Sequence, residues 1–172
     1  MIALGRALGG EVRVVLIGAA DGEVADRMRS AGPAVDWRGP LPNPQALAVA
    51  RRAAVGLSLL HDIPNYHHSM PTKVIEYLAH GIPVVTTPLP LAADLVRASE
   101  GGIVVPFDDH EALVDAVRSL VSDTARRDAC GAAGHRYVSV HHNWSIDAER
   151  FVGQLESWAV SADGRGGSRT PS

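Results

Sequence analysis

Short apolar runs alternate with helical patterns along most of the chain. The runs are rich in valine, isoleucine and leucine, and the apolar positions between them follow the helical period. This alternation predicts parallel strands joined by crossover helices, followed by a helical C-terminal extension. Strands are predicted near 12–18, 34–37, 54–59, 83–86 and 102–105, and helices near 21–31, 44–51, 71–80, 91–98, 109–121, 123–138 and 145–160.

The segment 69–87 carries the clearest start and stop signals in the chain. Ser69 is a candidate cap, and Pro71 suits a first helical turn, where its missing N–H costs nothing. Gly81 ends the predicted helix and Pro83 prevents its continuation. The segment therefore predicts a capped helix followed by a buried strand.

This helix has an apolar side and a polar side. At about 100° per residue, Val74, Ile75, Leu78 and Ala79 fall on one side, and Thr72, Lys73, Glu76 and His80 on the other. With the apolar side on the sheet, helix amides and the Lys73 ammonium would hold phosphate, and the Glu76 carboxylate would accept hydrogen bonds from two ribose hydroxyls. Lys73 and Glu76 can equally form an ordinary i,i+3 surface pair.

Composition narrows the class of protein. Hydrophobic residues make up 46% of the 172 residues, and 16 basic against 19 acidic side chains give a net charge of −3. No run of lysine and arginine interleaves with aromatics, so nucleic-acid binding is not expected. A single cysteine, Cys130, favours a reducing, cytoplasmic compartment. No apolar stretch reaches the ~20 residues of a membrane span, so any membrane contact is expected to be peripheral.

Histidine and acidic pairs are candidate metal ligands, but their spacing is unfavourable. The histidine pairs at 67–68 and 141–142 are adjacent in sequence, so the two rings of a pair would not converge on a helix face. Asp108 and Asp109 precede a predicted helix and are interpreted as capping residues, with Asp108 as the cap. Asn43, followed by Pro44, is likewise a predicted cap of the helix near 44–51. No metal site is expected.

Residues 64–87 resemble the donor-site signature of the group 1 retaining glycosyltransferases. The resemblance extends, in order and spacing, over roughly residues 1–160, through segments 14–18, 35–39, 54–59, 101–105 and 109–121. It implies the glycosyltransferase-B fold, in which two Rossmann-like domains face each other. The resemblance covers the carboxyl, donor-binding domain, and it implies a doubly wound parallel sheet with helices on both faces.

The resemblance also implies a reaction and a set of site residues. The reaction is transfer of a sugar from a nucleotide diphosphate sugar, which is a substrate and not a cofactor, to an unidentified acceptor. Lys73 and Glu76 would be the catalytic pair, with Lys73 and nearby amides stabilising the leaving phosphate without a metal. The donor-binding residues would be Trp37, Arg38, His68, Ser69, Pro71, Thr72, Lys73, Val74, Glu76 and Leu89. Trp37 and Arg38 would meet the base, and Leu89 would line the sugar pocket.

His68 departs from the family pattern, because an acidic residue that contacts the sugar often stands at this position. His68 would either replace that carboxylate as a hydrogen-bonding group or lie in a solvated loop.

The chain corresponds to half of a family member. We expect a donor domain over 1–160, truncated at its amino end, and a disordered tail over 161–172. The family's first strand, central in the sheet, has no counterpart, so strands 12–18 and 54–59 must pair directly, leave a groove or receive a strand from elsewhere. The acceptor domain also has no counterpart, which makes a separate acceptor-domain chain a candidate partner. The isolated chain is expected to be inactive, and the rival interpretation is a non-catalytic split subunit or truncated relic.

Overall fold

Five parallel strands form the centre of the molecule. The computed structural model describes residues 1–9 and 12–163, with the backbone alone at 146 and 160–163. The strands are β1 (Val14–Leu16), β2 (Val35–Trp37), β3 (Gly56–Ser58), β4 (Val84–Thr86) and β5 (Gly102–Val104). Every predicted strand is confirmed, although each is shorter than its apolar run, because only three residues of each run enter a ladder.

Eight α-helices are found in the described residues, and α2 to α8 lie where the hydrophobic period predicts helices. They are α1 (Ile2–Ala7), α2 (Gly22–Arg29), α3 (Asn43–Ala50), α4 (Thr72–Ala79), α5 (Pro90–Ser99), α6 (His110–Ser122), α7 (Thr124–His141) and α8 (Trp144–Asp163). A 3₁₀ turn at Pro64–Tyr66, which the sequence pattern did not predict, lies in the loop before α4.

The sheet is divided into two parts. Strand β1 pairs with β2, and separately β4 pairs with β3 on one side and β5 on the other, all in parallel. Between β1 and β3 lies an open groove of about 690 Å³. Of the three outcomes expected for the missing central strand, the structure shows the groove. The architecture is Rossmann-like, with helices on both sides of a parallel sheet.

Two hydrophobic clusters cover the two faces of the sheet. Side chains alternate across a strand, so Val84 and Val85 of β4 enter opposite clusters, and both are fully buried. The Val85 cluster contains Leu4 of α1 and Leu120 of α6. The Val84 cluster is built from α4, α5 and α7.

Helix α4 ends as predicted but begins differently. Gly81 has φ +69°, and the amides of Gly81 and Ile82 donate to the carbonyls of Leu78 and Tyr77, which closes a Schellman motif. At the other end Pro71 is the cap, and Ser69 Oγ instead donates to the Asn65 carbonyl at 3.2 Å. The prediction that Ser69 caps this helix is therefore wrong.

Two further predicted caps are wrong by one residue. Asp109 caps α6 by accepting a hydrogen bond from the Ala112 amide at 2.9 Å, whereas Asp108, with φ +56°, does not cap it. Pro42 caps α3, and Asn43 is the first helical residue.

The terminal helix α8 presents apolar side chains to solvent. Phe151, Leu155 and Trp158 are exposed. The predicted tail begins at residue 161, but the helix continues to Asp163, so residues 161–163 are helical. Residues 164–172 of that tail lie outside the described residues. Within the part of the chain that is described, no helix has the length and apolar character needed to cross a bilayer.

Candidate functional site

The amino end of α4 lies at the carboxyl edge of the sheet, because the loop 59–71 connects it to the end of β3. Val74 and Leu78 are completely buried and hold the helix on β3 and β4. The buried stripe differs from the predicted one at one position: Ala79 is exposed, and Tyr77 is half-buried in its place. The open corner beyond β3 is the usual ligand position of a doubly wound sheet.

The first amides of α4 have no capping side chain. Pro71 precedes the helix and offers no side-chain acceptor, and the Val74 amide turns back to the Pro71 carbonyl at 2.9 Å. Among the described residues, no acceptor is found for the amides of Thr72 and Lys73. Two N–H groups at the positive end of the helix dipole are thus free to bind an anion.

Lys73 and Glu76 are both half-buried, and no ion pair joins them. Within 1–9 and 12–163, neither side chain has a hydrogen-bonding partner, whereas i,i+3 pairs do form elsewhere, as between Arg29 and Asp26 at 2.8 Å. The alternative of an ordinary surface pair is therefore not realised. An unpaired ammonium and carboxylate remain one helical turn apart.

Tyr77 lies beside this pair and contacts β3. A methyl group placed on Gly56 would overlap the Tyr77 ring, so the missing side chain of Gly56 makes room for the phenol. Burial raises the pKa of the Tyr77 hydroxyl above its usual range, and the neighbouring Glu76 carboxylate raises it further. Tyr77 lines the groove, and Glu76 precedes it on the helix.

Hydroxyl groups connect the loops at the carboxyl edge. Thr86 Oγ1 donates to the Ser58 carbonyl at 3.0 Å, and Thr87 Oγ1 donates to the Leu60 carbonyl at 2.7 Å. Ser58 itself is 1% exposed, and its Oγ is the buried side-chain atom without a partner in the described chain. The bonds from Thr86 and Thr87 fix the loop that leads to α4.

The loop predicted to meet the nucleotide base lies on the other part of the sheet. Trp37 is half-buried, and its Nε1–H donates to the Gly18 carbonyl at 3.0 Å. Arg38 is paired with Asp36 at 2.8 Å. The structure shows no direct bond from this loop to α4, but Arg38 and Tyr77 both line the groove. Of the predicted site residues, Arg38 lines the groove, and α4 borders it through Tyr77.

Three other predicted binding residues occupy different environments. His68 and Ser69 are exposed, and His68 has no hydrogen bond within the described residues. Leu89 is 1% exposed at the start of α5, so its side chain packs in the core and does not line an open pocket. The main chain of Leu89 is also bonded within the fold: its amide donates to the Thr87 carbonyl and its carbonyl accepts from the Ala93 amide, both at 2.8 Å.

Sequence reasoning missed Ser58 and Tyr77. The signal for Ser58 was a small polar residue at the end of an apolar strand, and the signal for Tyr77 was its position next to Glu76. Across the described residues, no group of three or more histidine, cysteine or acidic side chains converges as metal ligands would.

Comparison with known proteins defines the class. The model of the glycosyl transferase-like family matches residues 3–153, so the chain belongs to this family.

Individual relatives cover limited parts of the chain. The phosphatidyl-myo-inositol mannosyltransferase of Mycobacterium leprae is 33% identical over 51% of this chain and 23% of its own length. The GDP-mannose-dependent monoacylated α-(1-6)-phosphatidylinositol monomannoside mannosyltransferase of Corynebacterium glutamicum is 34% identical over 48% of this chain and 22% of its own length. The chain thus spans less than a quarter of the length of either relative.

A solved structure supports the fold over nearly the whole chain. The sucrose-phosphate synthase of Thermosynechococcus elongatus superposes with a TM-score of 0.76 at 23% identity, over 94% of this chain and 42% of that protein. This fold therefore covers less than half of that protein.

Proposed function

We propose that the chain is the donor-binding half of a retaining glycosyltransferase that takes a sugar from a nucleotide diphosphate sugar. The observation that carries this proposal is the half-buried, unpaired Lys73 and Glu76 beside the uncapped amino end of α4. Buried charges without partners are costly, and such groups concentrate at functional sites.

The proposed chemistry is electrostatic. As the bond between the sugar and the diphosphate breaks, negative charge grows on the leaving phosphate. The amides of Thr72 and Lys73 and the Lys73 ammonium stabilise this charge, because they are already oriented and need not reorganise. Glu76 accepts hydrogen bonds from the ribose hydroxyls and fixes the nucleotide along α4.

The remaining predicted residues have supporting roles in this proposal. The loop of Trp37 and Arg38 receives the base through main-chain groups, because the Trp37 indole and the Arg38 guanidinium are already bonded within the loop. Leu89 makes no direct contact with the sugar in this proposal, because its side chain is buried and its amide and carbonyl are bonded to Thr87 and Ala93. His68 is a solvated loop residue.

A titration with nucleotides tests the proposal. Isothermal calorimetry with GDP, UDP, ADP and GDP-mannose should find binding by at least one of them. Glu76→Ala should weaken that binding about ten- to a hundredfold, because charge-assisted hydrogen bonds of ~1.5–3 kcal/mol are lost. The matched control is Glu149→Ala, which removes an exposed carboxylate from α8 and should leave the affinity unchanged. Equal affinities for the two variants would contradict the assignment of Glu76.

We further propose that residues 1–172 alone do not transfer sugar, since the acceptor-binding half lies outside them. A separate acceptor-domain chain would then complete the enzyme. The second candidate function, a non-catalytic subunit or relic, is favoured by the divided sheet. Failure of every nucleotide to bind would support this second candidate.

A further inference from the structure

Ser58 carries a hydroxyl group that the fold buries without a partner. The residue is 1% exposed at the end of β3, and its Oγ is the buried side-chain atom that makes no hydrogen bond within the described residues. A buried polar group without a partner destabilises a fold, so an apolar side chain would be the more stable choice at this position. The packing of the structure therefore does not account for this hydroxyl.

Strand geometry places Ser58 beneath the first turn of α4. Side chains two residues apart lie on one face of a strand, and Gly56, which shares this face with Ser58, contacts Tyr77 of α4. Ser58 lies about 6.6 Å nearer the carboxyl edge of the sheet. Because α4 runs antiparallel to β3 and rises about 1.5 Å per residue, this distance corresponds to roughly four residues before Tyr77. Ser58 is thus level with Thr72 and Lys73, whose amides have no acceptor among the described residues.

An unpaired acceptor lies on the same face of the sheet. Met70 precedes α4 and packs against the Val84 cluster, on the side of the sheet that carries Ser58. Within the described residues its carbonyl accepts no hydrogen bond. The hydroxyl of Thr86, which is paired in register with Ser58, is already engaged, because it donates to the Ser58 carbonyl at 3.0 Å. The Ser58 hydroxyl and the Met70 carbonyl are therefore a donor and an acceptor left open at one corner of the fold.

We propose that Ser58 is a positioning residue of the phosphate site, and that its hydroxyl donates to the Met70 carbonyl when an anion binds the amino end of α4. An anion held by the amides of Thr72 and Lys73 orders the main chain that precedes them. The new bond fixes the peptide between Met70 and Pro71, and with it the direction of the Thr72 amide. Hydrogen bonds that are open in an unliganded site often close in the complex. This inference rests on the proposed function, since it concerns the same anion site.

Opposite effects on stability and on binding follow from this role. Ser58→Ala removes an unsatisfied hydroxyl, so the unliganded variant should melt about 2–4 °C above the wild type. In isothermal calorimetry it should bind the best of GDP, UDP and ADP about three- to tenfold more weakly, because one neutral hydrogen bond is lost. Ser58→Cys keeps a side chain of similar shape but has only a weak donor, and it should weaken binding to the same degree.

Ser99→Ala is the matched control for a buried serine. Ser99 is 4% exposed, and its hydroxyl donates to the Val96 carbonyl at 3.3 Å and accepts from the Gly101 amide at 3.2 Å. It lies at the end of α5, just before β5 begins, and so at the opposite edge of the sheet from Ser58. Loss of this satisfied hydroxyl should lower the melting temperature and leave the nucleotide affinity unchanged.

The carbonyl carbon resonance of Met70 reports the proposed bond directly. Saturation of the isotope-labelled wild type with the same nucleoside diphosphate should move this resonance downfield, and the shift should be absent in Ser58→Ala and present in Ser99→Ala. A purely structural Ser58 would alter the melting temperature without affecting this shift.

Two kinds of failure are distinguishable. A Met70 resonance that does not move in the saturated wild type, an equal shift in Ser58→Ala, or equal affinities of Ser58→Ala and wild type would overturn the role of Ser58 and leave the nucleotide site intact. Absence of binding by GDP, UDP and ADP to the wild type would overturn the proposed function, and this inference with it.

Discussion

Tyr77 connects the hydrophobic packing to the candidate site at the scale of a single residue. Its ring fills the space left by Gly56, and its hydroxyl lies near the Glu76 carboxylate. The sequence predicted the roles of Lys73 and Glu76 from helical spacing and family resemblance. Tyr77 takes the place of Ala79 in the buried stripe because Gly56 has no side chain and leaves room for the ring. Helical spacing could not predict this, since Gly56 is distant in sequence.

The raised pKa of Tyr77 makes stability depend on pH in the alkaline range. The folded state retains the phenolic proton more tightly than the unfolded chain, so this contribution is present below pH ~10 and is lost as the pH rises further. Urea unfolding between pH 8 and 11 should therefore show a steeper loss of stability for the wild type than for Tyr77→Phe. Tyr66→Phe is the matched control, and an equally reduced slope in that variant would contradict the assignment.

At the scale of elements, periodicity predicted every strand and the helices α2 to α8, but not the first residue of each helix. Ser69, Asn43 and Asp108 all have side chains suited to capping, but none of them is the observed cap. The helices after Ser69 and Asp108 start later than those caps would require, and the helix at Asn43 starts one residue earlier. Competing local bonds explain one case, since Ser69 Oγ is engaged by the Asn65 carbonyl in the preceding 3₁₀ turn. Such competition is set by loop conformation, which the helical period does not determine.

Capping variants distinguish the observed from the predicted helix starts. Asp109→Ala should lower the free energy of unfolding by about 1 kcal/mol, because it removes the acceptor of the Ala112 amide. Ser69→Ala should change it by less than about half that amount, because Ser69 caps no helix. Urea denaturation measures both. A loss for Ser69→Ala as large as that for Asp109→Ala would restore Ser69 as a cap.

At the scale of the whole molecule, the groove that divides the sheet lies beside Arg38 and beside Tyr77 of α4. The groove separates the loop of Arg38 from α4, and both line it. The order of strands in a doubly wound sheet predicted where a strand would be missing. Whether the two edges would close on each other was not predictable from local patterns, because α1 and α6 pack together across that face and hold the parts in place.

The proposed function requires the amino end of α4 to bind the diphosphate of a sugar nucleotide. Nuclear magnetic resonance tests it most directly, by following backbone amide shifts of the isotope-labelled chain during titration with the nucleoside diphosphate that binds best. We expect the largest shifts at Thr72, Lys73 and Val74, and their loss in Lys73→Ala. Saturable shifts confined to other parts of the chain, or no shifts with any nucleoside diphosphate, would contradict it.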